Sequence, residues 1–368
     1  MEIKLKTLTP IWTGGVNGKM DRIHETGIIG SLRWWYEVIV RGLGGKACDL
    51  NNQKCELSGE NLQKYKKACT QGKEWWEALD EVGICDACKI FGTTGWKRRF
   101  RLSILEDQTQ LVWTPPPDVL NVRPPDRSRG WFLPPGRIGS FTLQFIGEKQ
   151  ILQQLAALFI FLEKWGSIGA KPQLGYGVFR IENKETVVKM KDNYKWIERG
   201  KNEPNSKFPD LRRFGFFCYQ FQPEKPGWWK KVPGMERIAT KVQPIVSKFN
   251  VVPVSPSLKN EWRFHQWEGN RGDEKWMFGT LNWKERDETK RLRSKIVVSW
   301  AYKHEGQWET RGWVWMQKKN IASKVWQILV DQTGWKNVIK VRGNLSTDHP
   351  DGWQEKNINE VYDFLNER

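Results

Sequence analysis

A nine-residue pattern occurs twice in this chain, and it restricts the fold more than any other feature. Phe91-Gly92-Thr93-Thr94-Gly95-Trp96-Lys97-Arg98-Arg99 recurs as Phe278-Gly279-Thr280-Leu281-Asn282-Trp283-Lys284-Glu285-Arg286, residue 278 standing 187 positions after residue 91. Each copy precedes a stretch with strand character. The same signal at the same place in two runs of elements points to a duplicated architecture. The length of 368 residues also suits two domains better than one core.

The elements can be read around the two copies. Residues 2–9 alternate as a strand through Ile3, Leu5 and Thr7. A glycine-rich loop follows, Thr13 to Gly18. Gly30-Ser31 then reads as a helix start, with Ser31 as N-cap and Gly42 as stop. Leu32, Trp35, Tyr36, Ile39 and Leu43 make the apolar stripe of that helix. Arg33, Glu37 and Arg41 lie on its other side at four-residue spacing. After the first copy come a strand at 98–105, a Pro- and Arg-rich connection at 106–136, a strand at 137–146, a buried helix at 149–165, a glycine loop and a strand at 177–182. The second half shows a strand at 214–221, a mixed region from Met235 to Phe264, strands at 293–301 and 307–316, a helix near 320–333, a strand near 337–342 and a terminal helix near 357–366. The first half is β-α-β-β-α-β and the second roughly repeats that order. The expected fold is α+β, with two ferredoxin-like (RRM-like) domains in tandem. Their bounds are 1–185, carrying an insertion at 44–90, and 213–368, joined by a charged linker at 186–212.

The charge narrows the function. A net charge of +18, from 60 Lys and Arg against 42 Asp and Glu, calls for a polyanionic partner. The charge is spread from Lys4 to Lys340, which suits a folded binding surface better than a disordered arm. Nucleic acid is the first candidate and an anionic membrane surface the second. No long cationic amphipathic helix supports the second. Residues 1–9 lack a signal-peptide apolar run, and no apolar run is long enough to span a bilayer, so a soluble, cytoplasmic protein without a membrane partner is expected. The 23 tryptophans serve either as core and interface packing or as stacking platforms for bases. In the pair Trp34-Trp35, helical geometry sends one ring to the core and the other outward.

Three segments resemble a known family. TPIWTGG at 9–15 with DRIHETGIIGSLRWWYEVIVRGLGG at 21–45, CDACKIFGTTGWKRRF at 85–100, and the glycine loop from Gly166 to Gly177 are similar to the RAMP superfamily of CRISPR proteins. More narrowly, they look like the first subunit of the Cmr (type III-B) effector complex. The resemblance implies two ferredoxin-like domains and a non-catalytic, RNA-binding subunit of a type III CRISPR ribonucleoprotein active in antiviral defence. Its partners would be guide RNA, target RNA or both, and other Cmr subunits. In that family target cleavage is assigned to a different subunit.

Candidate site residues follow from chemistry and resemblance together. A helix start at Ser31 would offer unpaired N–H groups to a phosphate, with Arg33 adding a planar fork and Arg41 a further cation. The plainer reading is a cap with an Arg33–Glu37 ion pair. Gly169, Lys171, Gly175 and Gly177 could bring backbone N–H groups close to phosphate, or simply turn the chain. Lys97, Arg98, Arg99 and Arg101 form a basic strand, either a phosphate track or a solvated face. Arg123, Arg127 and Arg129 sit on the 106–136 connection, which resembles the RNA-contacting thumb of related subunits. Arg33, Lys171 and the Lys97–Arg101 strand are expected to share one groove.

The other chemistry is sparse. Cys85-x-x-Cys88 with Cys48 and Cys55 could hold a structural zinc; free buried thiols or a redox pair are the other readings. Catalysis would fall to Asp21 with His24, as in a metal-dependent endoribonuclease of the RAMP type, since cleaving subunits of the family carry an Asp in that loop. Loop hydrogen bonding of Asp21 is the plainer account. The other histidines, His265, His304 and His349, belong to no recognisable catalytic set.

Overall fold

The computed structural model describes all residues except 16–17, 49–54, 201, 204–206, 281–291, 317–318, 349–356 and 367–368, with the side chains of 319 and 320 also left aside. The chain is α+β with antiparallel sheets. Its first half runs β1 (Glu2–Thr7), α1 (Glu25–Gly42), α2 (Gly59–Thr70), α3 (Trp75–Glu81), α4 (Asp86–Phe91), β2 (Phe100–Leu105), β3 (Ser140–Gly147), α5 (Lys149–Trp165), β4 (Phe179–Ile181) and α6 (Lys184–Lys191). The four strands pair in the order β2-β3-β1-β4. Helices α2, α3 and α4 occupy the expected insertion.

The second half runs β5 (Phe214–Phe221), α7 (Ala239–Phe249), α8 (Ser255–Phe264), α9 (Arg271–Phe278), β6 (Ile296–Val298), β7 (Ala301–His304), β8 (Gln307–Trp315), α10 (Lys319–Val330), α11 (Thr333–Ile339), β9 (Gly343–Asp348) and α12 (Ile358–Asn366). Its sheet repeats the first: β6 and β7 pair with β8, β8 with β5, and β5 with β9, while Val251–Val252 extends the β7 edge. Strand β9 replaces the strand expected near 337–342. Trp335, Val338 and Ile339 are indeed buried, but from a helix packed on the sheet. A short β-branched run does not tell a strand from a buried helix end.

The repeated sequence is a repeated structure over its described part; Leu281 to Arg286 lie outside it. Gly92 ends α4 at φ 86°, and Gly279 ends α9 at φ 89°. A Cβ on Gly92 would come within 2.8 Å of Arg98 N, and one on Gly279 within 2.8 Å of Ser294 N. Both turns need glycine for the left-handed backbone and for the close approach of the next strand. The supporting bonds also match. Thr93 N donates to Trp96 O and Thr280 N to Leu292 O, while Arg99 N reaches Ile90 O as Lys295 N reaches Met277 O.

The two halves are clamped together. Phe214 and Phe216 of β5 and Trp313 of β8 pack on Trp35 of α1 and Phe161 of α5. The opposite face of β5, through Phe217 and Tyr219, packs on Trp262 and Trp335 of its own helices. The expected linker contributes to this clamp through its described residues: Trp196, Asp210 and Leu211 are buried, and Arg212 pairs with Asp210 at 2.7 Å while donating to Arg41 O. A second clamp uses a bulge. From Val298 to Tyr302 the edge strand advances four residues while β8 advances three, Gly312 to Glu309. The extra residue lets Trp300 donate from N to Gly175 O and from Nε1 to Leu174 O.

Candidate nucleic-acid interface and metal centre

Helix α1 begins seven residues earlier than an N-cap at Ser31 would place it, with His24 as its N-cap residue. Gly27 lies inside the helix, and since a Cβ there would meet Thr13 at 2.8 Å, its glycine permits close packing rather than a turn. Gly30 lies in open space within the helix. The expected anion site at Gly30-Ser31 is therefore corrected: no helix terminus exists there. Ser31 Oγ donates to Ile28 O at 2.8 Å and accepts from Gly169 N at 2.9 Å. It docks the glycine loop.

Arg33 and Arg41 are also engaged inward. Arg33 Nε bonds Glu37 Oε1 at 2.9 Å, NH1 donates to Gly92 O at 3.0 Å, and NH2 lies 3.1 Å from Cys88 Sγ. Arg41 donates to Pro209 O and Cys48 O and reaches Glu37.

The glycine loop keeps little free backbone. Gly169 N is taken by Ser31, Ala170 N by Trp12 O, Gly175 N by Pro172 O and Gly177 N by Pro10 O. Its positive-φ residues Gly169, Lys171, Gly175 and Gly177 shape a tight turn against residues 10–12 and the Trp300 bulge. The expected amide cradle at these glycines is corrected accordingly. Lys171 remains, half-buried, with Nζ 4.1 Å from the Trp12 ring centroid; burial pushes its pKa down.

The 106–136 connection folds down instead of projecting as a thumb. Residues 120–122 pair with 131–133, and Leu120, Val122 and Leu133 are buried in the core of the second half. Arg127 lies over the Phe264 ring, and Asp126 receives bonds from Asn260 and His265. The Arg123 backbone packs on Gly234, and Arg129 is exposed.

Strand direction separates two cationic zones. Strands β1 and β2 are both antiparallel to β3 between them, so Arg101 lies beyond Glu2 at the start of β1. Lys171 and Trp12 lie past its other end. The single groove expected for Arg33, Lys171 and Lys97–Arg101 is thus not formed. At the first end Lys97, Arg98 and Arg101 are exposed, while Arg99 stacks on Trp75 and Trp96 and pairs with Glu148.

A face the sequence reading did not select joins these zones. In β1 the alternation EIKLKT buries Ile3, Leu5 and Thr7 and exposes Glu2, Lys4 and Lys6. Lys6 stands opposite Arg180 of β4, and Arg101 occupies the far edge of the same face. Among the described residues none of Lys4, Lys6, Arg101 and Arg180 forms an ion pair. The large cleft of about 860 Å³ between the halves differs. Arg180, on the edge strand of the sheet, also lines this cleft, where Lys184 pairs with Glu163 at 2.8 Å and Glu182, Glu305 and Glu309 add acidic charge. Such mixed charge does not suit a polyanion.

Asp21 and His24 touch through His24 Nε2 and Asp21 Oδ1 at 2.7 Å. That hydrogen bond lowers the pKa of Asp21, which is exposed. The pair has no third metal-ligating side chain grouped with it among the described residues. The group that does assemble is Cys48, Cys55, Cys85 and Cys88, whose sulfurs all lie within 4.8 Å of one another. Hydrogen bonds among the thiols push the pKa of Cys48 down and those of Cys85 and Cys88 up. Cys69 lies outside the group. No described helix is long and apolar enough to cross a membrane.

Comparison with known proteins agrees with part of this picture. Residues 4–180 match the family model of the RAMP superfamily. Similar solved structures include Cmr1 from Pyrococcus furiosus in its apo form, at 12% identity over 86% of this chain and 88% of that one, with a TM-score of 0.39. Another is a chain of the type III-B Cmr-beta bound to cognate target RNA, at 12% identity over 89% and 99%, with a TM-score of 0.38. No curated protein matches the sequence. Residues 4–180 of this chain are thus similar to the RAMP superfamily.

Proposed function

We propose that this protein is a non-catalytic RNA-binding subunit of a type III CRISPR (Cmr) ribonucleoprotein, made of two ferredoxin-like domains in tandem. It holds guide RNA, target RNA or both, beside other Cmr subunits. The observation that carries this reading is the open face of the first sheet, with Lys4, Lys6, Arg101 and Arg180 lacking acidic partners. The match of residues 4–180 to the RAMP superfamily model and the net charge of +18 support it. The face has no aromatic side chain, unlike a sheet that stacks bases. It therefore grips phosphates and reads little sequence.

The second reading, an endoribonuclease using Asp21 and His24, rests on their mutual hydrogen bond. One assay separates the two. The purified chain is incubated with labelled single-stranded RNA and Mg²⁺ or Mn²⁺, and binding and cleavage are followed together. Retention without cleavage is expected. Cleavage that disappears in Asp21→Ala overturns the non-catalytic reading, and failure of the wild-type chain to retain RNA leaves RNA out of the function altogether.

A further inference from the structure

The four-cysteine cluster carries an inference independent of RNA binding. Cys48 and Cys55 come from the start of the insertion, and Cys85 and Cys88 from the α4 turn. Cys48 Sγ and Cys88 Sγ lie 3.5 Å apart. Tetrahedral zinc with Zn–S bonds of about 2.3 Å places its sulfurs roughly 3.8 Å apart, so the cluster has the right size without a backbone shift. The sulfurs already accept backbone bonds. Cys48 N donates to Cys85 Sγ at 3.3 Å, Cys85 N to Cys55 Sγ at 3.3 Å, and Cys88 N to Cys85 Sγ at 3.4 Å. Such donors stabilise thiolates.

The surroundings fit a charged site. Arg33 NH2 stands 3.1 Å from Cys88 Sγ and 3.9 Å from Cys48 Sγ. Its Nε and NH1 are fixed by Glu37 and Gly92 O, so the guanidinium is aimed at the sulfurs by two bonds. Four neutral thiols give the half-buried guanidinium little electrostatic reason to face them. A tetrathiolate zinc centre, with net charge −2, does.

We propose that Cys48, Cys55, Cys85 and Cys88 bind one Zn²⁺ in a closed structural site, with Arg33 as its outer cation. Binding exchanges four thiol protons for one zinc ion and leaves no open coordination position for catalysis. The site pins the insertion to α1 at the Phe91-Gly92-Thr93 turn; Thr93 Oγ1 donates to Cys55 O, and Leu57 N to Thr94 O at 2.9 Å.

The test is metal analysis of the full chain, purified without chelator from zinc-supplemented cells. About one equivalent of zinc is expected. After chelation and reloading with Co²⁺, the protein should show the intense visible bands of tetrahedral cobalt thiolate. Cys69→Ser and Cys218→Ser should keep both signals, and Cys88→Ser should lose them. Arg33→Gln should still bind one zinc but release it to a chelator 10- to 100-fold more readily. Wild-type protein with under a tenth of an equivalent and no cobalt spectrum overturns the site, whatever the variants do. Unchanged retention in Arg33→Gln overturns the role of Arg33 alone.

Discussion

Strands β1 and β5 hold the same central place in two sheets of the same order, yet only one leaves a face to solvent. In β1 every second residue is charged, and Lys4 and Lys6 stand exposed on the face away from Ile3 and Leu5. In β5 the run FGFFCYQF is apolar almost throughout, because α1 and α5 of the first half take one face and α8 and α11 the other. The two sheets are similar in order, and packing one half onto the other covers a face of the second. A polyanion has one sheet face left to bind. The difference is written in side-chain period: alternation means a half-exposed strand, and a continuous apolar run means a strand buried on both sides.

The largest expected effect tests the covered face. Trp313→Ala should destabilise the protein by about 3–5 kcal/mol, read by urea unfolding, because the ring packs on Trp35 at 5.0 Å between centroids. A loss below about 1 kcal/mol would show that the halves do not share a core.

The second concerns Lys259, whose ammonium donates to Gln173 O from within the second half. Burial pushes its pKa down to about 7. Between that value and the ordinary lysine value the unfolded chain binds more protons than the folded one, so this group makes stability rise with pH from about 7 toward 10. Below pH 7 both states are protonated and the penalty is constant. Lys259→Met should remove the rise and raise stability at pH 7 by on the order of 2 kcal/mol. Unfolding curves at pH 7 and 9.5 decide it, and a rise that survives in the variant contradicts the assignment.

Glycines give the smaller effects, and they sharpen the contrast between clamp and open face. Gly175→Ala should cost about 1–3 kcal/mol, since its backbone is left-handed and a Cβ would meet Trp300 N at 2.8 Å. Gly30→Ala should instead stabilise by about 0.5–1 kcal/mol, because position 30 is helical and open. A thermal melt showing destabilisation there would restore a turn at the position and the anion site with it.

Much of the fold was legible. The strand at 2–9, the helix at 149–165, the insertion and the paired Phe-Gly-Thr turns are where pattern and punctuation place them. What failed failed for physical reasons. Gly27 and Gly30 looked like breakers, but one admits Thr13 and the other costs little in a buried helix. The run near 337–342 is apolar because it faces the sheet as a helix end. In the candidate site, the four cysteines come together as their spacing allowed. The basic residues divided otherwise. Arg33, Arg41 and Arg99 looked like phosphate ligands because sequence shows charge and not the acceptors folded beside it. Lys4 and Lys6 were passed over although the alternation of EIKLKT marks them as outward.

The open face is the central claim, and salt dependence tests it most directly. Binding of a single-stranded RNA is measured from low to high salt for wild type and for the variant carrying Lys4→Ala, Lys6→Ala, Arg101→Ala and Arg180→Ala. Each phosphate contact on a single strand contributes about 0.7 to the slope of log affinity against log salt. The variant should fold as stably as wild type to within about 0.5 kcal/mol per site, bind more weakly at every salt, and show a slope smaller by roughly 2–3. An unchanged slope and affinity in a folded variant would contradict the account and move the RNA surface off this sheet.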